Sequence, residues 1–118
     1  MSTVAYEHKM AAHCETGTVA ALLTHAGLPL SEAMVLGVTG GIFFAYLKTR
    51  KFPFPTFVVR SKPGQIVRNM TRRLNVGFHT QRFRKPAQAQ AAVDALLAGG
   101  TPVAVQVDMF HMAYIPAY

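Results

Sequence analysis

The residue of this chain best suited to covalent chemistry is Cys14, its only cysteine, which directly follows His13. Apolar residues at helical spacing come next and predict a helix that ends before Gly27. Cys14 would lie in the first turn of that helix, where unpaired backbone N–H groups and the helix dipole stabilise a thiolate. Because the thiolate attacks carbonyl carbons, this position indicates a nucleophile. The alternative is a small buried apolar residue, since free cysteine is among the most buried residue types.

A cysteine nucleophile also needs a base within hydrogen-bond reach, and a third group to orient that base. No histidine of this sequence takes that role from its position alone. His13 is expected to cap the helix, to pack, or to line the cleft together with Glu15. His111, three residues after Asp108, is the only internal candidate for a substitute partner, but a simple solvated loop is the favoured interpretation of that segment.

The sequence predicts neither a metal site nor a cofactor. A single cysteine and scattered histidines lack the spacing of metal ligands. Glycines at 37, 40 and 41 superficially resemble a phosphate-binding loop, but such a loop should follow a strand and open a helix. Here a helix precedes the glycines and a strand follows them, so the segment is interpreted as a turn.

Positive charge is concentrated in one stretch, residues 48–85, which we term the cationic block. Eleven of the twelve Lys and Arg residues lie there, and no Asp or Glu occurs between Glu32 and Asp94. Such a field attracts polyanions or acidic protein surfaces. Nucleic acid is the less favoured partner, because no DNA- or RNA-binding signature is present and the interleaved phenylalanines are predicted to belong to the core.

The element order predicts an α+β domain with N-terminal helices, one carrying the cysteine, packed on a mixed or antiparallel sheet. The papain-like arrangement has this shape. Helices are predicted near residues 14–26, 31–36, 63–74 and 86–98, and strands over 42–47, 56–60 and 103–110. Residues 76–83 are interpreted as a short edge strand. The length of 118 residues suits a single domain.

Composition favours a soluble protein of the cytoplasm. The hydrophobic fraction of 51% is normal for a folded chain. No apolar run reaches the roughly 18 residues that a membrane span needs, and the first residues lack the order of a secretory signal. One cysteine excludes an internal disulfide framework.

Short motifs distributed over most of the chain carry a family resemblance, and the most specific ones lie in its first third. They are His13-Cys14-Glu15, Leu22-Leu23, Gly27, Leu30-Ser31-Glu32-Ala33-Met34, Leu36-Gly37, Gly40-Gly41, Phe44-Ala45-Tyr46, Gly100-Thr101-Pro102-Val103 and Val107-Asp108. Together they resemble the N-terminal domain of the butirosin-biosynthesis acyltransferase family, which is related to the papain-like cysteine peptidases.

The resemblance implies thiol-based acyl transfer from a thioester on an acyl carrier protein to an amine of a small molecule, through an acyl group on Cys14. In the papain-like order the catalytic histidine lies downstream of Tyr118, and an Asp or Asn follows it. The chain is therefore expected to be the first part of a larger domain, or a truncated member that completes its sheet by association with another chain, including a second copy.

Acyl carrier proteins are typically acidic, which gives the cationic block an explanation other than nucleic acid. Arg68, Arg72 and Arg73 are expected on the exposed face of one helix, as the carrier-binding residues. Two alternatives stay open. One is a catalytically inert, structural or oligomerising module, and the other is a basic nucleic-acid binder, which would be recognised by steeply salt-dependent retention on DNA or RNA.

Overall fold

The computed structural model describes residues 3–108 and 111–112. Its elements are α1 (Cys14–His25), α2 (Glu32–Thr39), β1 (Ile42–Leu47), β2 (Thr56–Arg60), α3 (Gln65–Leu74) and α4 (Pro86–Ala98). The strands pair antiparallel, so the predicted α+β class is confirmed. The described residues form two compact units, one of residues 6–81 and the other of those before 6 and after 81. The single-domain organisation stays a prediction.

Helix α1 begins and ends where its sequence pattern predicts. His13 has extended backbone geometry before the first turn, and Gly27 takes the left-handed conformation, with a φ of 84°, after the last one. The amide of Leu28 donates to the carbonyl of Leu23 at 2.8 Å and closes the helix end. Of the predicted apolar stripe, Val19 and Leu23 are buried.

Helices α1, α2 and α3 pack together as a helical cluster with one apolar core. The fully or almost fully buried apolar residues are Val19, Ala20, Leu23, Val35, Ile66 and Met70. Helix α2 is capped by Ser31, whose hydroxyl accepts from the amide of Met34 at 3.1 Å, and it ends at Gly40, whose φ is 63°. The cysteine helix therefore rests on two other helices.

Ile66, Met70 and Leu74 are spaced as one apolar stripe of a helix, but in α3 only Ile66 and Met70 are buried and Leu74 is exposed. Each step of four residues turns the helix face by about 40°, so the third member of the series points well away from the first. Leu74 is also the last helical residue before Asn75, which has a positive φ of 53°. The core-facing stripe of α3 thus ends one turn earlier than the sequence suggests.

The hairpin of β1 and β2 carries an exposed aromatic face. This face includes Phe57, one of the phenylalanines of the cationic block that were predicted to belong to the core, and that prediction is wrong for Phe57. Tyr46 pairs with Phe57 across the strands, and their ring centroids lie 5.4 Å apart. Phe44 packs on Phe57 at 5.9 Å, and Val59 follows on the same side. Phe44 remains 68% exposed and Phe57 62% exposed. A two-stranded ribbon buries a face only when another layer covers it, and the described residues place no such layer there.

The other two predicted strands are wrong where the structure describes them. Residues 76–83 form irregular chain, although Val76 and Phe78 pack against the helical core. Residues 103–108 have no strand partner among the described residues, and Val105 and Val107 are exposed there. A strand exists only when its backbone groups are paired, which alternation of side chains cannot guarantee. Positions 109–110 of that prediction lie outside the described residues.

Helix α4, in the second unit, is the predicted helix that starts at Pro86. Proline at the first helical position fits because its missing N–H has no partner there in any helix. Half-buried residues Ala89, Val93 and Leu97 share its predicted apolar stripe, whereas Leu96 is exposed. The helix ends at the glycine pair 99–100, as predicted.

Candidate active site

Cys14 is the first residue of α1, and its side chain is exposed. Its carbonyl oxygen accepts a hydrogen bond from the hydroxyl of Thr18 at 2.7 Å, one turn further along the helix. The amides of a first helical turn have no partners within the helix. A small electrophile therefore reaches the thiol directly, beside the positive end of the helix dipole.

His13 caps the helix instead of pointing freely toward the thiol. Its Nδ1 accepts from the amide of Thr16 at 3.3 Å and lies 3.0 Å from the hydroxyl of Thr16. The amide of Gly17 donates to the carbonyl of His13 at 2.9 Å. Because Nδ1 serves as the capping acceptor, only Nε2 of His13 remains for chemistry at the site.

Glu32 connects the start of α2 to the start of α1, a link that the sequence did not reveal. One carboxylate oxygen accepts from the amide of His13 at 2.7 Å and from the hydroxyl of Thr16 at 2.9 Å. The other accepts from the amide of Ala12 at 3.0 Å. These hydrogen bonds, first the one from Ala12, then those from His13 and Thr16, lower the pKa of Glu32.

The only sequence signal for this link was indirect. Glu32 lies in the motif Leu30-Ser31-Glu32-Ala33-Met34, and the sequence alone explains its position as a favourable negative charge in the first turn of a helix. That interpretation accounts for α2 alone. The contacts to residues 12–16 bridge 16 to 20 positions of sequence, and no local pattern announces them.

The segment before Cys14 is held against α1 at a second point. Gly17 is buried, and a side chain there would collide with the methyl group of Ala11. Further back, the ring of Tyr6 lies 5.6 Å from that of His25, and partial burial raises the pKa of Tyr6. Residues 6–13 therefore run along the helix from its end to its start.

Glu15 turns toward α3. Its carboxylate accepts from the amide of Gly64 at 2.9 Å, directly before the first residue of that helix. Gly64 has a positive φ of 80°, which lets the chain enter α3 and present this amide. Glu15 thus ties the cysteine turn to α3, while Glu32 ties it to α2.

The three predicted carrier-binding arginines are all exposed, but they are not equivalent. The guanidinium of Arg73 donates to the carbonyl of Val38 and lies beside Gly40, where it caps the end of α2. Arg68 and Arg72 are one helical turn apart on α3. These two project from the same face of the helix, so they are better placed than Arg73 for an external partner.

Asp108 and His111 belong to the second unit, where the amide of His111 donates to the carbonyl of Asp108 at 3.1 Å. Their role as partners of Cys14 stays a prediction. Within residues 3–108 and 111–112, no three side chains of the metal-binding types cluster as an ion site would require. None of the helices described is both long and apolar enough for a bilayer crossing.

Together, fold and site define a small α+β protein that displays one accessible cysteine at the start of a helix braced by two glutamates. The family model described as butirosin biosynthesis protein H, N-terminal, matches residues 13–118, and the chain belongs to that family. The resemblance noted from the motifs is therefore confirmed. Comparison with curated proteins gives no match, and comparison with solved structures gives none either.

Proposed function

We propose that this protein takes part in thiol-dependent acyl transfer, with Cys14 as the nucleophile. The observation that carries the proposal is the exposed thiol at the first position of α1, in a turn fixed by His13 and Glu32. Membership of a butirosin-biosynthesis family supports a biosynthetic setting. The proposal has two further parts: the protein has a papain-like fold, and it acts in the cytoplasm.

The proposed reaction has two steps that balance. The thiolate of Cys14 attacks the carbonyl carbon of a carrier thioester, a new C–S bond forms, and the carrier leaves as a thiolate that takes up a proton. An amine of a small molecule then attacks the acyl-cysteine. Its nitrogen forms the amide bond and gives up a proton, and the sulfur of Cys14 leaves as thiolate. No cofactor is needed, and a general base must accept the proton.

The proposed acyl donor is an acidic carrier protein that docks on Arg68 and Arg72. Both are exposed cations on α3, and Gly64, the residue directly before that helix, is tied to the cysteine turn through Glu15. Complementary charge speeds encounter and fixes orientation. Reversing both arginines to Glu should weaken carrier binding at low salt and reduce its salt dependence, whereas equal binding by the variant would contradict this docking surface.

A second candidate function is an inert oligomerising module, and the aromatic face of the hairpin favours it. Phe44, Tyr46 and Phe57 form a contiguous apolar surface that the described residues leave exposed. Such a surface is typical of a protein interaction site. In this case a second copy would complete the sheet, and Cys14 would have no role in chemistry.

The test is covalent labelling of the intact protein. A small acyl thioester is added, and the mass of the whole protein and then of the peptide containing Cys14 is measured. We expect one acyl group on Cys14, none on Cys14→Ser, and loss of the group when an amine acceptor is added. Release by water alone at the same rate would indicate a hydrolase. Absence of labelling in the folded protein would contradict acyl transfer and leave the oligomerising module.

Retention of the same purified protein on nucleic acid tests whether DNA or RNA is its partner. The cationic block would retain the protein on single-stranded DNA or RNA with a steep salt dependence if this were its role. We expect instead weak retention that Arg68→Glu and Arg72→Glu do not abolish, since the block contains further cations spread over residues 48–85.

A further inference from the structure

Glu32 is the residue through which the helical cluster holds the cysteine turn. Its two carboxylate oxygens accept from the amides of Ala12 and His13 and from the hydroxyl of Thr16, at 3.0, 2.7 and 2.9 Å. These donors lie on both sides of Cys14 in the chain. The carboxylate therefore fixes where the chain enters α1 and how its first turn is oriented.

An ionised carboxylate is the group that suits this position. It accepts at both oxygens and offers no donor, so it satisfies all three groups at once. An amide in its place has one acceptor oxygen and would turn its NH2 group toward a backbone N–H. The charge also lies at the start of α2, where the helix dipole favours an anion.

We propose that Glu32 is a positioning residue for Cys14, acting through Ala12, His13 and Thr16 to hold the thiol at the helix start in its reactive orientation. This assignment rests on the proposed function, because it takes Cys14 as the nucleophile. Glu32 acts on the reaction only through the backbone and hydroxyl groups that it binds.

Two neighbouring features make the position of Cys14 depend on this carboxylate. The amide and the ring of His13 belong to one residue, so the hydrogen bond from its amide to Glu32 also helps to fix the backbone from which the ring caps α1. The absence of a side chain at the buried Gly17 lets residue 11 pass close to the helix. If the carboxylate is lost, the amides of Ala12 and His13 and the hydroxyl of Thr16 lose their shared acceptor, and the start of the first turn is held less firmly.

The experiment compares Glu32→Gln with wild type and with Ser31→Ala. Ser31 caps the same helix α2 through the amide of Met34, but it donates nothing to the cysteine turn, so its variant controls for loss of helix stability. All three proteins are first shown to be folded by circular dichroism. The maximal rate and the KM of Cys14 acylation by a small thioester are then measured, together with the rate of alkylation by iodoacetamide near neutral pH.

We expect Glu32→Gln to lower the maximal acylation rate about tenfold or more with little change in KM, because misplacement of the nucleophile acts on the reacting geometry. Alkylation should also slow. The thiol is already exposed in wild type, so the variant gains little accessibility, and it loses the ordered helix start that stabilises the thiolate. Ser31→Ala should retain wild-type values for both. An unchanged maximal rate in Glu32→Gln, or an equal loss in Ser31→Ala, would overturn the proposal.

The two readouts also separate this proposal from the proposed function. If wild type is never acylated, acyl transfer fails, and the alkylation rates alone decide the positioning role. Slower alkylation in folded Glu32→Gln than in both wild type and Ser31→Ala then supports positioning. Alkylation that is as fast as in wild type, or faster as expected from simple removal of a negative charge, overturns it.

Discussion

The helical cluster and the hairpin differ in how far their apolar residues are buried. In the cluster, Val35 and Met70 have no exposed surface, and the buried Asn69 donates to the carbonyl of Thr39 at 2.7 Å. In the hairpin, Phe44 and Phe57 contact each other yet remain mostly exposed. The core of the cluster is covered by its own helices and by neighbouring residues such as Val76 and Phe78, whereas the hairpin presents a face that a further protein layer could cover.

The candidate nucleophile, Cys14, belongs to the helical cluster, the region whose apolar core is covered. Cys14 stands on a helix whose start is hydrogen-bonded to both neighbouring helices, through Glu32 to α2 and through Glu15 to α3. Every buried side-chain nitrogen or oxygen among the described residues also has a partner. A rigid frame of this kind can hold a nucleophile in one geometry, which a ribbon exposed on one face cannot do.

The largest effect is expected from a cavity in the helical cluster. Met70→Ala removes a fully buried side chain from α3 and should lower the free energy of unfolding by about 2–5 kcal/mol. Urea denaturation followed by circular dichroism measures this loss. Leu74→Ala, an exposed leucine on the same helix, is the matched control and should cost less than about 1 kcal/mol. Equal losses would mean that the core does not lie where the structure places it.

A somewhat smaller effect is expected where the chain before the cysteine crosses α1. In Gly17→Ala the new methyl group would collide with Ala11, so residues 11–13 must shift at a cost of about 1–3 kcal/mol. Gly37→Ala is the control, because open space surrounds that position in α2 and alanine favours a helix by roughly 0.5–1 kcal/mol. Thermal denaturation should therefore shift in opposite directions for the two variants.

Sequence reasoning succeeded where structure is decided locally. The strands 42–47 and 56–60, the glycine that ends α1 and the proline that starts α4 all follow from residue type and spacing. It failed where a distant part of the chain decides. Whether Phe57 is core or surface depends on what covers its face, and the link from Glu32 to His13 depends on how two helices meet.

The pH dependence of stability tests the bracing of the helical cluster. Hydrogen bonds lower the pKa of Glu32 below its ordinary value of 4.5, so its contribution to stability is fully present above that pH. The contribution is lost as the pH falls through the lowered pKa of the folded state, where the carboxyl takes up a proton. His13 lies close to the same carboxylate, and its positively charged form adds to the lowering, but that form donates at both ring nitrogens and no longer caps α1.

Unfolding free energies of wild type and Glu32→Gln, measured by urea denaturation from neutral to acid pH, should differ most above about pH 5 and converge in acid. A difference that stays constant over the whole range would show that ionisation of Glu32 contributes nothing. The hairpin offers a comparison within the molecule, because no carboxylate lies between residues 42 and 60. Signals from its aromatic residues should reveal no separate acid transition.

The smallest effect on folding is expected in the hairpin. This experiment tests most directly whether the hairpin differs from the helical cluster in the burial of its apolar residues. Phe57→Ser removes an exposed ring from the aromatic face and should change the free energy of unfolding by only about 0.5 kcal/mol. If that face binds a second copy, the same change should reduce self-association in sedimentation velocity experiments. Met34→Ser, at an exposed position of α2, should leave self-association unchanged. A large loss of stability in Phe57→Ser would instead show that the hairpin contributes to the core, and the two regions would no longer differ.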